Sequence, residues 1–204
     1  SFWLKSEPAS PPPGAERQRR HGAMPKNGDT AAALKEAEDF LVRDSPKAAL
    51  NAALNAVTLA SDHRDKLGEA EAWLMMLRAR SALMKYEEAL KAGEAALVIY
   101  LEADDDRGKA DALFYIAEAH ITGGVHAKAM KGLGMAWELY RSMGKAAEAF
   151  STVALMVQAL LGMGDSEAAL KQAKAAVKWL EEQQGVNLLL AKAKQTLVQA
   201  LIAS

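Results

Sequence analysis

A period of 40 residues constrains this chain more than any other feature. Ala49-Leu50, Ala89-Leu90, Ala129-Met130 and Ala169-Leu170 recur at that interval, and seven positions after each first alanine stands another, at Ala56, Ala96, Ala136 and Ala176. A chain that repeats at such a period is built by stacking one supersecondary unit on copies of itself, because a single unit cannot bury its apolar face alone. Seven residues make two helical turns, so both alanines of a copy lie on one helical face, where a second helix can approach closely. Upstream of each pair runs a second apolar-periodic segment, such as Ala70, Trp73, Leu74 and Leu77, or Leu113, Phe114, Ile116 and Ala117. Each copy therefore reads as a helical hairpin.

Turn signals set the phase. Asp44-Ser45-Pro46 places a capping residue before a proline at the first helical position, and Gly123-Gly124 and Gly164-Asp165 stand at equivalent points. The expectation is an all-α solenoid of four helix pairs, over residues 30–59, 66–102, 107–143 and 145–183, and a lone final helix over 186–202. In that last helix Leu197 and Leu201 stand 40 residues after Val157 and Leu161. It either caps the array or opens a repeat whose second helix is missing. Abundant alanine with only 6% aromatics supports close-packed helices over strand faces.

Residues 1–29 differ in kind. Pro8, Pro11, Pro12, Pro13 and Pro25 with Gly14, Gly22 and Gly28 forbid a continuous helix, so an extended N-terminal arm is expected ahead of a repeat domain over 30–204. The arm is mildly basic, with its Arg17-Gln18-Arg19-Arg20-His21 cluster, and Phe2, Trp3 and Leu4 are its natural anchors, either on a partner or folded back onto the solenoid. The chain opens on Ser1, and Phe2-Trp3-Leu4 is too brief for the apolar core of a secretory signal. An upstream segment removed from an organellar protein and a fragment of a longer chain both fit, which leaves localisation open.

Charge excludes some partners and the residue inventory excludes some chemistry. Lys and Arg number 25 against 26 Asp and Glu, so no strong field favours nucleic acid or anionic lipid. Cysteine is absent, which removes disulfides, thiolate metal sites and a cysteine nucleophile. The longest apolar run, residues 153–161, is interrupted by Gln158 and falls short of the ~18 residues that span a bilayer. His120 and His126 are six apart and off a common helical face, and His21 and His63 lie far away in sequence, so no zinc set is formed. The run Glu102, Asp104, Asp105, Asp106 lacks the alternating ladder of a calcium loop and is placed to cap the helix that follows. Gly123-Gly124 and Gly132-Leu133-Gly134 lack the Lys-Ser or Lys-Thr of a phosphate loop; Gly132 and Gly134 instead permit close helix approach. Ser151 and Ser166 have no base beside them. The expectation is a protein that is not an enzyme and that carries no cofactor and no metal.

Met84-Lys85-Tyr86-Glu87-Glu88-Ala89-Leu90 and the segment Leu161-Gly162-Met163-Gly164-Asp165-Ser166-Glu167-Ala168-Ala169-Leu170 resemble the turn and second-helix start of tetratricopeptide (TPR) repeats. The two alanine columns fall on that family's signature alanines, and Trp73 on its first-helix tryptophan, with Ala33, Leu113 and Val153 in the other copies. The repeat is about six residues longer than the family's usual 34, and that surplus is expected between hairpins.

The resemblance implies a right-handed solenoid whose first helices line a concave groove, and a function in protein–protein interaction. One groove column then runs Leu34, Leu74, Phe114, Ala154 and Lys194, and a neighbouring one Glu38, Arg78, Glu118, Gln158 and Val198. An apolar strip beside staggered charges suits a peptide with apolar anchors and charged flanks. The expected partner-binding residues are Leu74, Arg78, Phe114, Glu118, Gln158 and Lys194. Leu34 and Leu74 stand equally to pack against the adjacent repeat. The lysine and asparagine set with which some family members grip chaperone termini is absent around Arg78 and Glu118. A non-catalytic scaffold binding a partner protein or peptide follows. The alternative is a constitutive peripheral subunit of a larger assembly, such as one on an organelle membrane, pinned by its arm.

Overall fold

The computed structural model describes residues 28–183 and 186–203, and among them every regular element is a helix. In chain order these are α1 (Gly28–Val42), α2 (Pro46–Asp62), α3 (Lys66–Ala82), α4 (Tyr86–Glu102), α5 (Asp106–Thr122), α6 (His126–Ser142), α7 (Ala146–Gly162), α8 (Ser166–Glu181) and α9 (Asn187–Ala203). The expected pairs and the lone final helix are all present. The expected arm lies outside the described residues except for Gly28 and Asp29, which belong to α1.

One turn, used seven times, sets the geometry. Asp44, Arg64, Met84, Asp104, Gly124, Gly144 and Gly164 all take positive φ, between 52° and 79°, at intervals of 20 residues. Each left-handed residue ends a helix in the same way, the amide after it donating back to a carbonyl five residues earlier: Ser45 to Phe40 at 2.8 Å, Asp105 to Tyr100 at 3.0 Å, Val125 to His120 at 2.7 Å. That amide's residue is also the N-cap of the next helix. Asp65 and Asp165 each accept one first-turn amide on the side chain, and Asp105 accepts two, from Arg107 and Gly108. Ser45 precedes Pro46 as expected, but its hydroxyl caps nothing and donates weakly to the Arg43 carbonyl.

The turns between hairpins thus match the turns within them. The surplus over the usual repeat, expected between hairpins, lies in the helices instead, most of which are 17 residues long. The reason is the uniform cap: a three-residue reversal has no room to absorb extra chain, so added length must lengthen the helices it joins.

Packing makes two unequal layers. Each helix contacts the next in sequence, and the backbones of the first helices α1, α3, α5, α7 and α9 also approach in series, whereas those of α2, α4, α6 and α8 stay apart. The first helices therefore form the inner, crowded layer and the second helices fan out behind them. Both alanine columns lie at the junction, with Ala49, Ala89, Ala129 and Ala169 fully buried and Ala176 only 3% exposed. At the far end of α4, α6 and α8 a larger buried residue, Tyr100, Tyr140 or Leu180, wedges against the next repeat, where α2 has Ala60. Gly108 is required there because a Cβ would enter the Tyr100 ring, and Gly93 similarly admits the Leu77 and Ile116 side chains.

Candidate functional site

The inner layer exposes one face of each first helix. On α5 that face carries Asp111, Tyr115 and Glu118, spaced i, i+4, i+7; Met75 and Arg78 occupy the equivalent positions on α3, and Leu155 and Gln158 those on α7. Arg78 is half-buried, with its guanidinium 4.9 Å from the centre of the Tyr115 ring and one of its nitrogens 3.6 Å from the Met75 sulfur. This cation–π contact ties α3 to α5 across the inner surface. Tyr115 in turn meets Phe114 edge-on, centroids 5.3 Å apart.

Two carboxylates on α5 experience different surroundings. Asp111 accepts a 2.6 Å hydrogen bond from the Tyr140 hydroxyl and pairs with Arg107 at 3.8 Å; burial still raises its pKa above the ordinary value, against the pull of those two partners. Glu118 is half-buried, and no hydrogen bond or ion pair closes on its carboxylate among the described residues. Burial raises its pKa, with the nearby Arg78 charge acting the other way. Burial likewise raises the Tyr140 hydroxyl, and the Asp111 hydrogen bond adds to it.

The first groove column divides. Leu34 packs with Ala33, Ala56 and Ala72, and Leu74, 4% exposed, with Ala70, Ala96, Tyr100 and Ala112. Leu74 therefore seals the interval between α3, α4 and α5 and is withdrawn from the surface expected of it. Phe114 is only partly covered, and in the next copy the column holds Ala154. There a hollow of about 510 Å³ opens on the inner side, between α5, α7 and α9, lined by Phe114, Phe150, Ala154, Leu155 and Leu161 with Gln158 at its rim. Of all neighbouring first helices, α5 and α7 approach least closely. Lys194 is exposed and lies 3.6 Å from Glu181 of α8. A larger open volume of about 630 Å³ runs along α8, by Asp165, Leu170 and Lys174, but one helix alone lines it and it encloses nothing.

Of the expected residues, Arg78, Phe114, Glu118 and Gln158 share the inner face, Leu74 is buried beneath it and Lys194 stands at its end. Phe2, Trp3 and Leu4 lie outside the described residues. Sequence reasoning missed Tyr115 and Asp111; the signal was present in their spacing from Glu118, seven for Asp111 as between the paired alanines and three for Tyr115, both of which share its helical face.

Elsewhere side chains serve the fold. Asp105 caps α5, and Asp104 and Asp106 hold Lys109 at 2.7 Å and 3.1 Å, which accounts for the acidic run. His126 packs over Gly162 at the end of α7, and burial and Lys128 lower the pKa of His120. Among the described residues no three His, Asp or Glu are grouped to hold a metal ion. Gly132 lies against the Leu113 carbonyl of α5, whereas Gly134 faces open space and permits no helix approach. On the outer layer Trp137 and Trp179 meet edge-on at 4.9 Å with Arg141 over both rings, bridging the gap between α6 and α8.

No protein-family profile and no curated protein matches the chain. Solved structures do. The nearly identical TPR-like repeats of a kinesin light chain candidate from Podosopora anserina align over 87% of this chain and 89% of theirs, with a TM-score of 0.73 and 12% identity. The apo form of RapI aligns over 92% of this chain and 75% of its own, with a TM-score of 0.67 and 14% identity. At such identities the likeness is one of fold: a TPR-like array of helical hairpins.

Proposed function

We propose that this tetratricopeptide-like array is a non-catalytic scaffold that binds a partner protein through the inner face of its first helices. The observation that carries this is the state of Glu118, Arg78 and Tyr115: half-buried, on one continuous face, with a carboxylate that has the Arg78 charge nearby but no hydrogen bond or ion pair among the described residues. A core position would be apolar and filled, and a purely solvated one would not hold its charge out of water. Leaving a half-desolvated carboxylate costs the free fold stability that a bound partner recovers. The fold supports the reading, since such arrays offer one extended surface to proteins.

The test is capture of partners from the native source, with cross-linking mass spectrometry and the variants Phe114→Ala and Arg78→Ala. Links should gather on lysines bordering the inner face, Lys35 and Lys194, and both variants should lose the partner while keeping their helical circular dichroism. Unchanged capture by both variants sinks the assignment.

A second reading makes the chain a constitutive peripheral subunit, anchored also by Phe2, Trp3 and Leu4. One observation favours it: large apolar side chains are exposed away from the inner face as well, with Val98, Leu101 and Met135 on second helices each about half exposed and Leu188 71% exposed at the start of α9. Under this reading cross-links come from several chains and include Lys5 and Lys26. No helix among the described residues is long and apolar enough to cross a membrane.

A further inference from the structure

We infer that the inner face takes a partner segment with a bulky apolar side chain seated in the hollow between α5, α7 and α9, and a lysine or arginine beside it on Glu118. This rests on the inner-face reading and gives it a ligand chemistry.

The hollow selects an apolar group. At about 510 Å³ it falls within the ~300–1,000 Å³ range of pockets that hold small ligands and single large side chains. No charged side chain lines it. Two of its polar residues are already committed, the Ser151 hydroxyl donating to the Ala147 carbonyl at 3.0 Å and that of Thr196 to the Lys192 carbonyl at 3.1 Å. Gln158 and Gln199 remain, both at the rim, so a charge carried inside would lose its hydration without compensation. The opening falls where α5 and α7 stand furthest apart, and Ala154, smaller than the Leu34 and Leu74 that its column holds in the first two copies, leaves room in the lining.

Charge complementarity selects the flank. Glu118 does not itself line the hollow, but it stands one turn after Phe114 on α5 and shares its column with Gln158, and both of those residues do line it. Asp111, two turns earlier, is already served by Tyr140 and Arg107, and Arg78 is engaged by Tyr115 and Met75. Across the three inner positions of the first four repeats, Glu38, Glu71, Asp111 and Glu118 oppose Lys35 and Arg78, four acids to two bases, or −2. A cationic side chain is the group this surface lacks. A free apolar molecule would fill the hollow and leave Glu118 as it is, which favours a segment of chain presenting both groups.

The experiment pans a random dodecapeptide phage library against the full chain and measures the enriched peptides, labelled, by fluorescence polarisation. Enriched sequences should pair Leu, Ile, Met, Phe or Trp with Lys or Arg within four positions. Ala154→Leu, which restores the residue this column holds in the first two copies, should weaken them at least about tenfold by occupying the hollow. Its thermal midpoint, unchanged or higher, separates that loss from unfolding. Glu118→Gln should weaken them roughly threefold and reduce their salt dependence, and Glu118→Lys more. Enriched peptides that are acidic, and that lose affinity in Arg78→Ala and Phe114→Ala, would overturn this chemistry and leave the inner face standing. Peptides indifferent to every inner-face substitution would overturn both, and failure of any sequence class to enrich would overturn the inference.

Discussion

From α1 to α5 the first helices close on one another, whereas α5 and α7 part and leave a hollow bounded also by α9, although the same turn and the same alanine columns build both halves. In the closed half Leu34 and Leu74 fill the interval to the following repeat, and the Tyr100 ring lies directly on Gly108. In the open half the column holds Ala154, and the position equivalent to Gly108 is Glu148, while the hydroxyl of Tyr140 reaches Asp111 instead. The difference separates two jobs within one repeat. Columns at the hairpin junction set the backbone and are held constant; a column one layer inward, through which residue it holds and how far the helices stand apart, shapes whether neighbouring repeats seal or open.

The most direct way to break that comparison is to give the closed half an opening. Leu74→Ala should cost about 2–5 kcal/mol, because Leu74 is buried among Ala70, Ala96 and Ala112, too small to refill the space, and Tyr100, whose ring is already seated on Gly108. A fall in the urea midpoint of that size checks it; a loss below about 1 kcal/mol would show that the column does not seal the repeats. Gly108→Ala should follow, at about 1–3 kcal/mol, since its Cβ would enter a buried tyrosine ring that has no free end to swing aside. A neutral result would mean that Tyr100 can lift off α5 and that the closed half is looser than its packing indicates.

Closing the open half is the converse. Ala154→Leu adds volume where a hollow already exists, so its stability should stay within about 1 kcal/mol of the parent, in contrast with Leu74→Ala. A large loss on calorimetry would show the hollow to be too shallow for a side chain and would weaken the case for an anchor there.

The halves were legible in the sequence to different degrees. The 40-residue period and the two alanine columns place all nine described helices, because small residues at helical spacing have one use, close helix approach. The acidic run before α5 also reads correctly as a cap, since capping is a local property of a few adjacent residues. The fate of the Leu34 to Lys194 column could not be read, because whether Leu74 seals or lines depends on Ala96, Tyr100 and Ala112, which lie on other helices. The same holds for Tyr115: its spacing from Asp111 and Glu118 puts it on the inner face, but its contact with Arg78 crosses from one repeat to the next and has no signature within either. The expected surplus between hairpins failed for a related reason, as the left-handed Arg64 and Met84 carry none of the glycine signal that marks Gly124 and Gly164.

The smallest effect tests the electrostatic side of the same contrast. Burial raises the pKa of Glu118 above the ordinary carboxylate value, so the folded protein holds that proton at a pH where the unfolded chain has released it. Unfolding then releases a proton, and stability falls as pH rises from the ordinary glutamate range through the raised pKa. Asp111 adds a slope of the same sign, burial again being the main cause. Glu118→Gln should remove its own share of this slope, leaving the variant indistinguishable from the parent at low pH and slightly more stable near neutrality, as read from urea midpoints across that interval. The opposite result, a parent that gains stability over the variant as pH rises, would mean that Arg78 satisfies the carboxylate within the chain, and Glu118 would then have nothing left to offer a basic partner.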